Sequence, residues 1–382
     1  MKAVKTLVIW IGISLAIQLL GFYYVDRIYL NSETNLKTTK IEELDGTEKK
    51  EKQGPVKVKV PKTAEDISIS SNLKYISYLE NEKLVLKTTD EKSNFSYEKE
   101  DGAEIIYYKW VPSRDRIITA EKISGYQGNK IVLFSYDLKK DEKSEIDKID
   151  IYDENTKVDN IEMSVLTGLT YVKLVDPSNV SYIYRFDRMR GNLLMDTVPK
   201  HISNVATLEK EAVLYYEGEV YNAVYESTVY NIDKTNKGTR NHQIIIDGAD
   251  RLSLLGTDSE SNLYLGKVED NLITKIYYKS VECNKETNEN SNYQYENKED
   301  ESDSGISYNS EDFKSVNMNK PAKRENIHVT KEGQVYVHDI QNKTITDEMN
   351  GKEVSYEGEF LGFEESGILV KQGDIVTIVD YE

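Results

Sequence analysis

From Val56 onward, apolar and polar residues alternate with a period of two, in short runs separated by turn residues. VKVKV at 56–60, KYISYL at 74–79, KLVLKT at 83–88, RIITAEK at 116–122 and KIVLFSYDL at 130–138 carry the pattern. Successive side chains of a strand point to opposite faces, so this period predicts strands. Helical periodicity is nearly absent after residue 56. The strands also recur as a loose unit: an opening strand, a small or charged turn, a second strand, a polar hairpin, a third strand of the type IYxxD and an edge strand. Such units open near Ile67, Lys109, Ile161, Ile202, Leu252, Glu325 and Gly358.

A repeat of roughly 46 residues fits the four-stranded blade of a β-propeller. The predicted fold is therefore all-β, a propeller of about seven blades over 56–382, with six as the alternative count. Two packed sheets form the competing all-β arrangement, but a repeat this regular is less expected there. The last unit is one strand short, and the run Val56 to Val60 belongs to no unit. Pairing these two open edges would close the ring.

The N-terminal segment obeys a different pattern. Thr6 to Val25 is 20 residues without a charge, bounded by Lys5 and Asp26. A helix of that length crosses a hydrocarbon core of about 30 Å. Lys2 and Lys5 precede it, so the positive-inside rule places the N-terminus in the cytoplasm and the C-terminal domain outside. Trp10 and the cluster Phe22, Tyr23 and Tyr24 stand where interfacial aromatics are expected. Residues 1–30 are thus read as one transmembrane helix with its flanks, in contact with the lipid bilayer through residues 6–25. A cleaved signal peptide is the rival reading, although no A-x-A-like site follows the apolar run. Residues 31–55 are polar and charged without a sustained period, and read as a tether.

A second irregularity lies between the fifth and sixth units. From Glu282 to Asp312 there are ten acidic residues against two lysines, with Asn and Ser filling the gaps. The expectation is a solvated acidic insertion over about 282–320, with Cys283 at its margin as an unpaired thiol.

Composition narrows the chemistry. The 49 Lys plus Arg against 67 Asp plus Glu leave a net charge of −18, which argues against a nucleic-acid partner. With one Cys and four His there is no disulfide framework and little material for a His/Cys metal site. The chain carries no G-x-S-x-G, H-E-x-x-H, Walker A or C-x-x-C motif. His201, His242, His328 and His338 fall in different units, and His338 and Asp339 point to opposite faces of one strand. Asp258, Glu260 and Asn262 alternate as ligands of a calcium loop do, and are the candidate metal residues; a polar hairpin turn accounts for the same spacing. No catalytic residue and no cofactor is nominated.

Two short motifs carry a family resemblance. WVPSRDRIITA at 110–120 resembles the W-S-P-D-G turn and following strand of WD40-like repeats in TolB-like translocation-protein propellers and in the N-terminal propeller of dipeptidyl peptidase IV. GTDSESNLYLG at 256–266 is similar to the D-x-x-G-N-L-Y-V turn of extracytoplasmic sensor propellers, with Ser261 where that family usually has Gly. The peptidase's catalytic portion has no counterpart in these 382 residues. Residue usage low in Pro and rich in Lys, Asn, Ile and Tyr resembles that of low-GC Gram-positive bacteria, which implies the cell envelope. The resulting expectation is a membrane-tethered, extracytoplasmic propeller that binds a protein, peptide or glycan without catalysis. The alternative is a carboxylate-dependent envelope hydrolase or lyase, with two carboxylates converging in the propeller channel.

Overall fold

A computed structural model describes Gln18 and residues 56–125, 128–187, 191–231, 237–280, 306–308 and 310–381. The apolar run at 6–25, the tether at 31–55 and Cys283 lie outside the described residues, apart from Gln18. Among the described residues, no helix is long and apolar enough to cross a membrane.

The described strands form seven sheets, each wound outward in chain order except at the closing seam. Blade 1 comprises Glu65–Ile69, Tyr75–Glu80, Lys83–Thr88 and Asn94–Ser96; blade 2 comprises Glu104–Trp110, Arg116–Gly125, Gly128–Asp137 and Glu142–Ile151. Blade 3 runs through Lys157–Ser164, Leu169–Val175, Ser181–Asp187 and Gly191–Leu194, and blade 4 through Ile202–Thr207, Val213–Gly218, Ala223–Asn231 and Lys237–Ile246. Blade 5 takes Leu252–Thr257, Asn262–Glu269, Leu272–Ser280 and Lys314–Ala322; blade 6 takes Ile327–Val329, Val335–Asp339, Thr344–Asp347 and Glu353–Ser355. Blade 7 has Glu359–Glu364, Gly367–Gln372 and Ile375–Asp380, and its fourth strand is Lys57–Lys59 from the other end of the propeller sequence. This is a seven-bladed β-propeller.

The closing strand pairs antiparallel with the last one, Lys57 opposite Thr377, Val58 opposite Val376 and Lys59 opposite Ile375. The predicted pairing of the two open edges is therefore present. Its register puts Val58 and Val60 inward, both fully buried, while Lys57 and Lys59 stay in solvent. That is what the alternation VKVKV encodes.

The core is a ring of seven apolar layers, one in each seam between neighbouring blades. Val58, Ile76, Leu369 and Val376 fill the seam between blades 7 and 1. Leu86, Trp110, Ile117 and Tyr136 fill the next, and Ile131, Ile161, Val172 and Leu174 the one after. Middle strands have a neighbouring blade on each face, so both of their faces are buried. This explains the near-continuous apolar run IVLFSY in Gly128–Asp137, where six successive residues are buried.

The structure revises the acidic insertion. Its described C-terminal part is not loop: Lys314–Ala322 is the fourth strand of blade 5, so the insertion lies within that blade. Ile306–Tyr308 adds a short parallel strand to the outer edge of blade 4. Residues 281–305 lie outside the described residues. The strand KSVNMNKPA escapes a period-two reading because it is an edge that buries only Met318. Its Pro321 is compatible with an edge position.

Candidate functional site: a cleft on the loop face of blades 4 to 6

Antiparallel winding sorts the connections onto two faces. Hairpins joining second to third strands, and loops leading from one blade to the next, emerge on one face; the remaining turns emerge on the other. The first strands of neighbouring blades lie against one another, so they surround the centre of the ring.

Each seam near that centre is crossed by a side chain. Tyr108 donates its hydroxyl to the Asp66 carbonyl of blade 1. Lys109 donates to the Ile161 carbonyl at 2.7 Å and to Glu162 at 2.9 Å in blade 3. Lys173, only 3% exposed, donates to the Ser203 carbonyl of blade 4 at 2.7 Å and pairs with Asp159 at 2.8 Å. Glu217, 2% exposed, accepts from Ser253 Oγ and from the Leu254 amide of blade 5, both at 3.0 Å. Arg324, in the loop entering blade 6, donates Nε to the Leu254 carbonyl at 2.6 Å and Nη2 to the Leu255 carbonyl at 2.9 Å. His328 stacks on Phe363 of blade 7 at 4.8 Å. Glu364 closes the circuit by accepting from Ser68 Oγ and the Ile69 amide of blade 1, each at 3.3 Å.

Two of these groups, Glu364 and His328, are shifted toward their uncharged forms across neutral pH. Burial pushes the Glu364 carboxyl up to about 8, so at neutral pH it is mostly a carboxylic acid. Burial, and secondarily the charges of Arg324 and Lys331, bring the His328 imidazole down to about 4. Such groups are held in forms that can share hydrogen bonds without an uncompensated charge.

On the loop face, blades 4, 5 and 6 leave a cleft of about 320 Å³. Its floor is the Glu217 network, its apolar wall is Val268 and Ile273, and Glu219 and Glu325 stand exposed at its edge. The hairpin joining Val213–Gly218 to Ala223–Asn231 forms the lip. Its tip presents Val220 at 64% and Tyr221 at 79% exposure, next to Asn222 in the cleft wall.

The candidate metal residues lie elsewhere, in a turn of blade 5 on the opposite face. Asp258 Oδ1 accepts from the amides of Glu260 and Asn262 at 3.0 and 2.8 Å, and Oδ2 from Asn262 Nδ2 and Tyr264 Oη at 2.7 and 2.9 Å. Asp258 and Asn262 are thus brought together by hydrogen bonding to each other, whereas the Glu260 side chain is exposed. The turn also locks two blades, since Ser259 donates its amide and its hydroxyl to the Lys331 carbonyl at 3.0 and 2.8 Å. Among the described residues, no group of three His, Cys, Asp or Glu side chains is placed to hold a metal ion. Of the histidines, His338 is buried with Nε2 2.7 Å from the Tyr356 hydroxyl, while Asp339 turns away to Lys320 and Asn342.

Sequence reading did not single out Lys109, Lys173, Glu217, Arg324 or Glu364. A signal existed for some of them: a charge set inside an apolar run, as in YVKLV around Lys173 and VLYYEG around Glu217, marks a buried group that needs a partner. The identity of that partner lies in the next blade, some tens of residues away, and no local pattern reveals it.

No protein-family profile and no curated protein match the chain. Among solved structures it is similar to the WD40 domain of SCAP from fission yeast, at 10% identity over 84% of this chain and 82% of that one, with a TM-score of 0.44. It is also similar to the β-propeller domain of Cps50 (Swd1) from Myceliophteria thermophila, at 10% identity over 85% and 98% of the two chains, with a TM-score of 0.46. A third likeness is to Hsv2 of Kluyvelomyces marxianus, at 8% identity over 80% and 88%, with a TM-score of 0.41.

Proposed function

We propose that this chain is a non-catalytic, protein-binding β-propeller, held by its N-terminal helix in the cell membrane with the propeller outside the cytoplasm. The observation that carries the binding role is the cleft of blades 4 to 6 with Val220 and Tyr221 exposed at its lip. A rigid frame, an indented polar surface and a protruding aromatic are the ingredients of a protein contact. The charge-free run at 6–25 and its flanking lysines carry the topology.

The binding test places a photo-crosslinking residue at Tyr221 in cells and, as control, at Lys139 on the opposite face. Protein adducts at 221 and not at 139 are expected. Equal or absent adducts overturn the reading. Protease added to intact protoplasts should remove the propeller, and full protection would refute the topology.

The second reading, a carboxylate-dependent envelope hydrolase or lyase, draws on Glu364, a carboxyl kept protonated near pH 7 as a general acid must be. Degradation of purified cell-wall glycan by the wild type and not by Glu364→Gln would favour it over the binding role.

A further inference from the structure

We propose that Lys109 and Asn160 are the partners of an intramolecular isopeptide bond that joins blade 2 to blade 3, with Glu162 carrying the protons and Tyr107 bonding the reacting carbonyl. The bond ties positions 51 residues apart in the sequence.

The four side chains come from two neighbouring first strands. Tyr107 and Lys109 lie two residues apart on Glu104–Trp110, and Asn160 and Glu162 two apart on Lys157–Ser164, so each pair shares a face of its strand. Lys109 Nζ stands 3.4 Å from Asn160 Oδ1, 2.9 Å from Glu162 Oε1 and 2.7 Å from the Ile161 carbonyl between them. Asn160 Nδ2 donates to the same Glu162 oxygen at 3.1 Å, and the Tyr107 hydroxyl donates to Asn160 Oδ1 at 3.4 Å. The Lys109 and Glu162 side chains are 34% and 25% exposed, so the ion pair is only partly hydrated.

A structural ion pair across the seam needs a lysine and a carboxylate alone. Here the carboxylate touches both the nitrogen that attacks and the nitrogen that leaves, which is the position of a general base and acid for amide exchange. Burial favours the neutral amine of Lys109, the charge of Glu162 favours the ammonium, and the balance raises the lysine above its ordinary value. The amine is therefore freed by passing its proton across 2.9 Å to Glu162. Nζ then forms a bond to Asn160 Cγ, and the charge that moves onto Oδ1 meets the Tyr107 hydroxyl, which burial keeps protonated. Glu162 gives its proton to Nδ2 and takes one from Nζ as the bond from Cγ to Nδ2 breaks. Lysine ammonium and asparagine amide become a secondary amide and free ammonium, and Glu162 ends as the carboxylate it began. No oxidant, metal or cofactor enters the balance. The set Lys320, Asp339 and Asn342 is arranged differently: Asp339 Oδ2 stands between the lysine at 2.7 Å and the amide at 3.0 Å, and Lys320 is 76% exposed.

The test is the intact mass of the full chain under denaturing conditions, followed by a tryptic digest. The wild type should be lighter than its sequence by one ammonia, and the digest should contain a branched peptide joining Lys109 to Asn160. Lys109→Met and Asn160→Ala should each have their full sequence mass. Asn160→Asp should still form the bond, losing water in place of ammonia. Glu162→Gln should slow formation by about a hundredfold or more, with an unchanged β-rich circular dichroism spectrum showing that it is folded. Lys320→Met should leave the mass deficit as it is. A folded wild type of full sequence mass overturns the proposal. So does loss of ammonia without the branched peptide, the sign of an asparagine that has cyclised on its own backbone. Bond formation at the wild-type rate in Glu162→Gln overturns the role given to the carboxylate.

Discussion

At the scale of single residues, the turn around Asp258 shows how much one position can hold. Gly333 sits at φ +80°, and a Cβ there would come 2.6 Å from Tyr264 Oη and 2.8 Å from Asp258 Oδ2. Gly333→Ala is therefore expected to cost about 2–4 kcal/mol, from left-handed strain plus the displaced carboxylate. Urea unfolding measures it, and a loss below about 1 kcal/mol would show that the turn adapts. Ser261 is left-handed as well, at φ +65°, and its buried hydroxyl has no hydrogen-bond partner. Ser261→Gly should be neutral or stabilising by up to about 1 kcal/mol, since glycine carries no left-handed penalty and leaves no buried hydroxyl unpaired. The turn was legible in the sequence because Asp, Asn and Ser act on their own backbone a few residues away. Glu364 and His328 were not, since their environments are made by other blades. His328 is depressed, so the unfolded chain binds more protons between pH 4 and 6.5, and its contribution rises with pH over that window. Glu364 is raised, so its contribution is complete below pH 4.5 and lost as pH rises through 8. The two slopes oppose each other between pH 4.5 and 6.5. From pH 6.5 to 8 Glu364 acts alone, and stability should fall by up to about 2 kcal/mol, a decline that Glu364→Gln abolishes in urea midpoints taken at the two pH values.

At the scale of elements, the strands that could be read were those with a buried face. KLVLKT at 83–88 and VKVKV at 56–60 alternate because one side meets a seam. The outer strand Lys314–Ala322 meets no seam along most of its length, so hydration rather than packing shaped its composition, and it passed for loop. Its one buried side chain should then carry its attachment. Met318→Ala is expected to cost about 2–3 kcal/mol, while the exposed Asn317→Ala stays within about 0.5 kcal/mol. Chemical denaturation of the two variants compares them directly, and equal losses would contradict the assignment of a single anchoring residue.

At the scale of the whole molecule, stability depends on every seam being filled, because the seven layers share no common centre. The closing seam is the one made by distant sequence. Removing residues 55–61 takes away Val58 and Val60, worth about 1.5–3 kcal/mol each when fully buried, and bares the edge at Ile375–Asp380. A loss of about 3–6 kcal/mol is expected, against almost none for removal of residues 35–50. Equal melting temperatures for the two deletions would refute the role given to the closing strand. This pairing was legible because a strand too many at one end and a strand too few at the other is a global mismatch visible in the repeat itself. The cleft was not legible, as it depends on how loops of three blades converge.

The closing strand has a mechanical side as well. It is held to blade 7 by its ladder, by the Val60 amide on the Asp374 carbonyl at 2.8 Å and by the Lys59 to Asp374 ion pair at 3.2 Å. Blade 1 grips it from the other side, Glu91 accepting the Lys59 amide at 2.8 Å and Lys87 donating to the Lys59 carbonyl at 2.6 Å. A pull on the chain ahead of Val56 runs along this strand, at right angles to its hydrogen bonds. Such a load shears all the bonds together instead of peeling them one after another. The chain enters this strand on the face opposite the cleft, so the load is applied away from the loop face of blades 4 to 6.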